Sequence, residues 1–166
     1  VSRPFLTSLL ILVASFSLAS NSHALAHLPP AISLRYDTRM QAATRIANSH
    51  ARKHSHRQCW HAVKNALLQA KVVSSRPTTR YAKQAGYELQ RKYAFKKIKV
   101  SDPHKAPLGA ILVYGGRGAG HVEIRTQKGY VSDFTNKRPS RRPLIGVYVS
   151  SKMVASNRGK SSNRRS

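Results

Sequence analysis

Apolar residues along this chain change their spacing twice. Between residues 37 and 93 they recur every three or four positions, the period of helices with one buried face. Met40, Ala43 and Ala47 mark such a stripe in a helix from Asp37 or Thr38, both good caps, to about Ser49. Trp60, Val63, Leu67 and Ala70 mark a second, from Cys59 to Ala70. Ala82, Ala85 and Leu89 mark a third, opened by Pro77-Thr78-Thr79 and running to about Tyr93. After the turn signals Asp102-Pro103 and Pro107-Leu108-Gly109 the pattern becomes that of strands. Ala110 to Tyr114 is continuously apolar, His121 to Thr126 alternates, Tyr130 to Phe134 returns after Gln127-Lys128-Gly129, and Leu144 to Val149 closes the series. Helices first and an antiparallel sheet afterwards predict an α+β domain over residues 36–149.

The Gly115 to Gly120 loop, GGRGAG, has the look of a phosphate loop. It lies between two strands, without the Gly-Lys-Ser/Thr ending or the helix that cradles a phosphate, so a strand connection is expected.

The apolar run from Phe5 to Ala19 has a different meaning. With Arg3 before it and small residues after it, it has the layout of a secretory signal peptide over residues 1–26. The run is short for a membrane span, which needs about 20 residues. Residues 27–35, with Pro29-Pro30, then read as a linker, and residues 150–166 as a disordered basic tail. Export to the periplasm or the extracellular space is the expectation, with no transmembrane span after cleavage.

Charge narrows the partners. Thirty Lys and Arg face five acids, a formal net charge of +25. Such a field draws polyanions: nucleic acid, anionic lipid or an acidic cell wall. Any role that needs a carboxylate has only Asp37, Glu88, Asp102, Glu123 and Asp133 to draw on.

The single cysteine carries the sharpest signal. In an exported protein a lone thiol has no internal disulfide partner and is a candidate reactive group. His50, His54, His56 and His61 surround Cys59, but their spacings match no standard zinc finger, and Arg52, Lys53 and Arg57 are interleaved with them. No metal is expected. Cys59 instead stands where a polar segment gives way to a helical run, and a helix N-terminus favours the thiolate. His61, two residues on, does not share its helix face.

The base must therefore come from elsewhere, and His121, which begins a strand in GHVEI, is the candidate. Alternation puts Val122 and Ile124 on one face and His121, Glu123 and Arg125 on the other. A third group should orient the imidazole. A three-residue Gln127-Lys128-Gly129 turn pairs Thr126 with Tyr130 and makes Asp133 a diagonal neighbour of His121. A two-residue turn flips Asp133 to the opposite face and leaves Glu123 in that role.

At this point the sequence resembles the cysteine, histidine-dependent amidohydrolase/peptidase (CHAP) group and the related NlpC-type cell-wall peptidases. QCWHAVKNAL, PLGAILVY, GHVEI and YVSDF appear in the order of the family's nucleophile helix, strand, histidine and following strand. The resemblance implies a papain-like α+β fold with N-terminal helices packed on a small antiparallel sheet. It also implies an exported peptidoglycan amidase or endopeptidase with Cys59 as nucleophile, His121 as base and Asp133 as third residue, and no cofactor. Gln58 would line the oxyanion site or cap the helix, and Glu123 would touch substrate or modify the triad. Three departures stand out, the first being that the interval from His121 to Asp133 is short for a CHAP domain. Trp60 directly follows the cysteine, where CHAP sequences commonly have an intervening residue, and position 123 is usually small.

The substrate partner so implied is peptidoglycan, with anionic polymers also held by the basic tail. The alternative is a non-catalytic basic protein that binds nucleic acid or anionic envelope polymers. It explains the charge equally well but not the Cys59 and GHVEI pair, and the chain lacks the clustered aromatics of a base-stacking surface.

Overall fold

The computed structural model describes residues 37–152; the expected leader, the linker and the tail beyond residue 152 lie outside them. Helix α1 (Thr38–His50) is capped by Asp37, whose side chain accepts from the Arg39 N–H, and it buries Met40, Ala43 and Ala47. Helix α2 (Cys59–Gln69) begins at the cysteine and buries Trp60, Val63, Ala66 and Leu67. Both stripes are those read from the sequence.

Helix α3 (Ala85–Tyr93) begins later than the Pro77 start expected of it, after a 3-10 turn at Ala82–Gln84. The reason is Glu88. Its carboxylate accepts from the backbone N–H and the hydroxyl of both Thr78 and Thr79, at 2.6–3.0 Å. Those two residues are thereby held as an extended loop rather than a first helical turn. Carboxylates that accept several such bonds are strongly favoured in the charged form, and the pKa of Glu88 falls to about 2 despite the opposing effect of burial.

The sheet has six antiparallel strands in the order β1-β6-β2-β3-β4-β5. These are β1 (Lys96–Ile98), β2 (Ile111–Tyr114), β3 (His121–Thr126), β4 (Gly129–Val131), β5 (Thr135–Asn136) and β6 (Leu144–Val149). The central strand β2 has no solvent exposure at any of its four residues, which is why its sequence is continuously apolar rather than alternating. The two edges are short and mostly exposed, Lys96–Lys97–Ile98 on one side and Thr135–Asn136 on the other. Short polar or lysine-bearing edges discourage pairing with other chains, and they carry no apolar pattern to announce them.

The chain turns between β3 and β4 in two residues, Gln127 and Lys128, so that Thr126 pairs with Gly129, Arg125 with Tyr130 and Ile124 with Val131. The three-residue turn with Gly129 in a bulge does not form. Gly129 belongs to the ladder, and a Cβ there would collide with the Asn136 carbonyl oxygen of β5. Nor does the strand continue to Phe134. Ser132, Asp133 and Phe134 form the reversal between β4 and β5, closed by Ser132 N–H on the Phe134 carbonyl at 2.9 Å. After β6, Ser150 is buried and its hydroxyl donates to Asp37 at 2.7 Å.

Candidate active site

Cys59 is the first residue of α2 and is half-buried. Two contacts fix this end of the helix. On one side the indole N–H of Trp60 reaches both the carbonyl and the hydroxyl oxygen of Thr79 at 3.1 Å, and the Lys64 amine reaches the same carbonyl at 2.5 Å. Thr79 is itself held by Glu88, so the tryptophan beside the cysteine is seated on a pinned loop. On the other side Asp133 holds the approach to the helix. Its Oδ2 accepts from the His56 N–H at 2.7 Å and the Gln58 N–H at 3.1 Å, and its Oδ1 accepts from the Ser132 hydroxyl. Between the two clamped amides, Arg57 takes a left-handed conformation with φ 62°, which is costly for a residue with a side chain.

His121 opens β3 directly after Gly120, whose φ is +76°. A Cβ at Gly120 would lie 2.5 Å from the Tyr114 carbonyl oxygen and 2.8 Å from the Lys83 Cβ, so only glycine fits between them. The GGRGAG loop thus serves as a connection from β2 to β3, exposed from Gly116 to Ala119 and tightly packed at Gly120. The His121 ring lies between the rings of Tyr114, 6.0 Å away, and Phe134, 6.2 Å away. Its side chain is 13 % exposed.

The cysteine and the histidine are brought together. Burial alone would lower the His121 pKa. Hydrogen bonding to Cys59 and to Glu123, together with the charges of both, outweighs burial and lifts it to about 9. Glu123 Oε2 stands 3.3 Å from Nε2 of His121, which leaves Nδ1 as the other ring nitrogen. Glu123 is 2 % exposed and fully engaged, its Oε1 accepting from the Tyr114 hydroxyl at 2.6 Å and from the Ser140 N–H at 3.2 Å.

Asp133 therefore sits elsewhere than the expected place beside His121. With the two-residue turn it leaves the sheet at the β4–β5 reversal, and its Oδ2 is taken up by the segment before Cys59. Burial, which opposes ionisation, is outweighed by the Gln58 and His56 amides, and its pKa is held below the usual carboxylate value. Gln58 is the residue at the helix cap, yet its exposed side chain makes no capping hydrogen bond, and its backbone N–H is spent on Asp133. The side chain is free to face a ligand.

Tyr114, Phe134 and Ser140 were not foreseen. Tyr114 had a signal, since it is the cross-strand partner of His121 and its hydroxyl needs an acceptor when buried. Ser140 contributes a backbone group from an irregular loop, which no side-chain pattern announces. The histidines around Cys59 are dispersed: His50, His54, His56 and His61 are exposed, and among the described residues no group of three or more His, Cys, Asp or Glu side chains converges on a cation site.

No protein-family model matches the sequence, and comparison with curated proteins likewise gives no match. Among solved structures, the fold is similar to a chain of the type VI native effector–immunity complex Tae3–Tai3 from Ralstonia pickettii, with a TM-score of 0.54 and 21 % identity. The superposition covers 67 % of this chain and 98 % of that one. The likeness shows a shared α+β fold, helices packed against an antiparallel sheet.

Proposed function

We propose that this protein is a cysteine amidohydrolase that cleaves an amide bond in peptidoglycan. The observation that supports it most is the convergence of three groups: Cys59 in the first turn of α2, His121 at the start of β3, and Glu123 on Nε2 of the same imidazole. A binding protein has no need of that arrangement. The choice of peptidoglycan draws on the motif resemblance and on a fold shared with a chain from an effector–immunity complex.

In the reaction so proposed, the Cys59 sulfur attacks as the thiolate, with its proton held by His121. A C–S bond forms at the substrate carbonyl, and the oxygen takes up the charge. The Cys59 backbone N–H, at the open end of α2, and the Gln58 side chain would receive that oxyanion. His121 then gives its proton to the leaving nitrogen as the C–N bond breaks, leaving a thioester. Water attacks the thioester, His121 accepts the proton of that water, and the C–S bond breaks to release the acid and the thiolate. Glu123, locked by Tyr114 and Ser140, fixes the imidazole tautomer and stabilises the imidazolium. Asp133 positions the backbone before the nucleophile and takes no part in proton transfer. The site would work on wall polymer outside the cytoplasm, as the expected leader implies.

Mass spectrometry of peptidoglycan fragments after digestion tests this reading. Release of peptides with a new carboxyl and a new amine, lost in Cys59→Ala, is the expected result. Unchanged fragments would leave the polyanion-binding alternative standing.

A further inference from the structure

A large cleft of the described body lies away from Cys59. It runs between the exposed face of α1 and the β3–β4 hairpin with β5, and encloses ≈ 1010 Å³. It reaches from Asp37 to Asn48 along the helix, about 17 Å at 1.5 Å per residue. Four cations line it: Arg45 from the helix, Arg125 and Lys128 from the hairpin, and Lys137 after β5. Among the described residues none of the four has a carboxylate partner. The one acid in the lining, Asp37, is occupied by Ser150 and by Arg39.

Arg125 is held as a fixed charge. Its Nη1 donates to the Thr126 and Gly129 carbonyls at 2.7 and 2.9 Å, and the guanidinium lies 4.8 Å above the Tyr130 ring. Its buried Nε has no partner. Between the cations stand exposed amides, Gln41, Asn48 and Asn136. Each amide offers a donor and an acceptor side by side, the pairing that vicinal hydroxyls require.

A long groove with four unpaired cations and exposed amide side chains along it fits an extended acidic polysaccharide, whose repeated carboxylates and hydroxyls match that row. We propose that this groove is an anchoring site for an acidic polysaccharide strand. It lies about 13 Å along β3 from His121, four residues at 3.3 Å each. The inference deepens the hydrolase reading, on which it rests for the anchor's role in wall cleavage: the anchor would hold the polymer while Cys59 meets a peptide attached to it.

Binding is measured with full-length Cys59→Ala protein, so no turnover is needed. The probes, at one ionic strength near 0.1 M, are polygalacturonate, neutral dextran and polyglutamate. Polygalacturonate should bind more tightly than both others. The double variant Arg45→Glu/Lys137→Glu should lose about tenfold or more in that affinity. Lys96→Glu/Lys99→Glu, on and beside the opposite sheet edge, makes the same change in net charge and should lose far less. Circular dichroism checks that each variant is folded. In the active background, the groove variant should digest intact sacculi more slowly while cutting a small soluble muropeptide at the parent rate. Equal losses in the two double variants would overturn the site, because charge alone would then explain binding. Equal affinity for polyglutamate and polygalacturonate would overturn the saccharide assignment. Failure of the parent to cut any wall fragment would remove the hydrolase reading and leave the binding comparison intact.

Discussion

Glu123 and His121 are two residues apart on one strand, and Oε2 of the first stands 3.3 Å from Nε2 of the second. Side chains at i and i+2 share a face of a strand, so β3 alone supplies both the imidazole and its carboxylate. Glu123→Gln keeps the shape and removes the charge. It should lower kcat by at least about 10²-fold, a larger loss than Asp133→Asn gives. Steady-state kinetics on a soluble muropeptide decide the order, and a larger loss at Asp133 would return the orienting role to it.

The proton on His121 sets an alkaline limit. Its folded pKa, about 9, is above the ordinary 6.5 because the contributions of Cys59 and Glu123 outweigh burial. The stability gained from this protonation is complete below about pH 6.5 and is lost as pH rises through about 9. Activity should fall over the same upper range, where the leaving nitrogen can no longer be protonated. In Glu123→Gln the falling limb of the kcat/KM profile should move to lower pH. A limb that stays in place would show that another group titrates there.

Asp133→Ala should damage both stability and rate. The His56 and Gln58 amides lose their acceptor, and Arg57 loses what holds its left-handed backbone. Unsatisfied amides cost on the order of 1–3 kcal/mol each, less where water reaches them, so a loss of about 2 kcal/mol is expected in urea denaturation. kcat should fall while the His121 limb of the pH profile stays in place, which separates a positioning role from a proton-transfer role.

Glu88 makes acid sensitivity measurable. Its pKa drops from 4.5 to about 2 on folding, so its contribution is present above about pH 4.5 and lost as pH falls towards 2. The shift corresponds to about 3 kcal/mol at neutral pH. Glu88→Gln should lower stability by a similar amount near pH 7 and flatten its decline below pH 4.5. Parallel pH–stability curves for parent and variant would remove Glu88 from the acid response.

The helical half of the molecule was largely legible because buried stripes leave a mark in the sequence. Met40, Ala43 and Ala47, and Trp60, Val63 and Leu67, face inward where their spacing put them. The start of α3 was not legible, because the competitor for the Thr78 and Thr79 amides is a glutamate in the following helix. The placing of Cys59 beside His121 could be argued from the motif order. The identity of the third group turned on whether the hairpin turned in two residues or three. That choice was made by Gly129, whose missing side chain admits the Asn136 carbonyl, and by a strand too short to pattern. Where the fold depends on close backbone approach rather than on burial of side chains, periodicity is silent.

The strand order has a consequence for when the centre can exist. β6, at the end of the described body, inserts between β1 and β2, and β2 is the neighbour of the strand that carries His121. A growing chain therefore exposes Cys59 early, but the sheet that presents the His121 imidazole is complete only after residues 144–149 have joined it. Ser150 then ties that last strand to Asp37, where the first described helix begins. The chemistry proposed for this protein belongs to the finished molecule: a nascent or C-terminally clipped chain holds the same residues on a sheet that lacks the strand between β1 and β2.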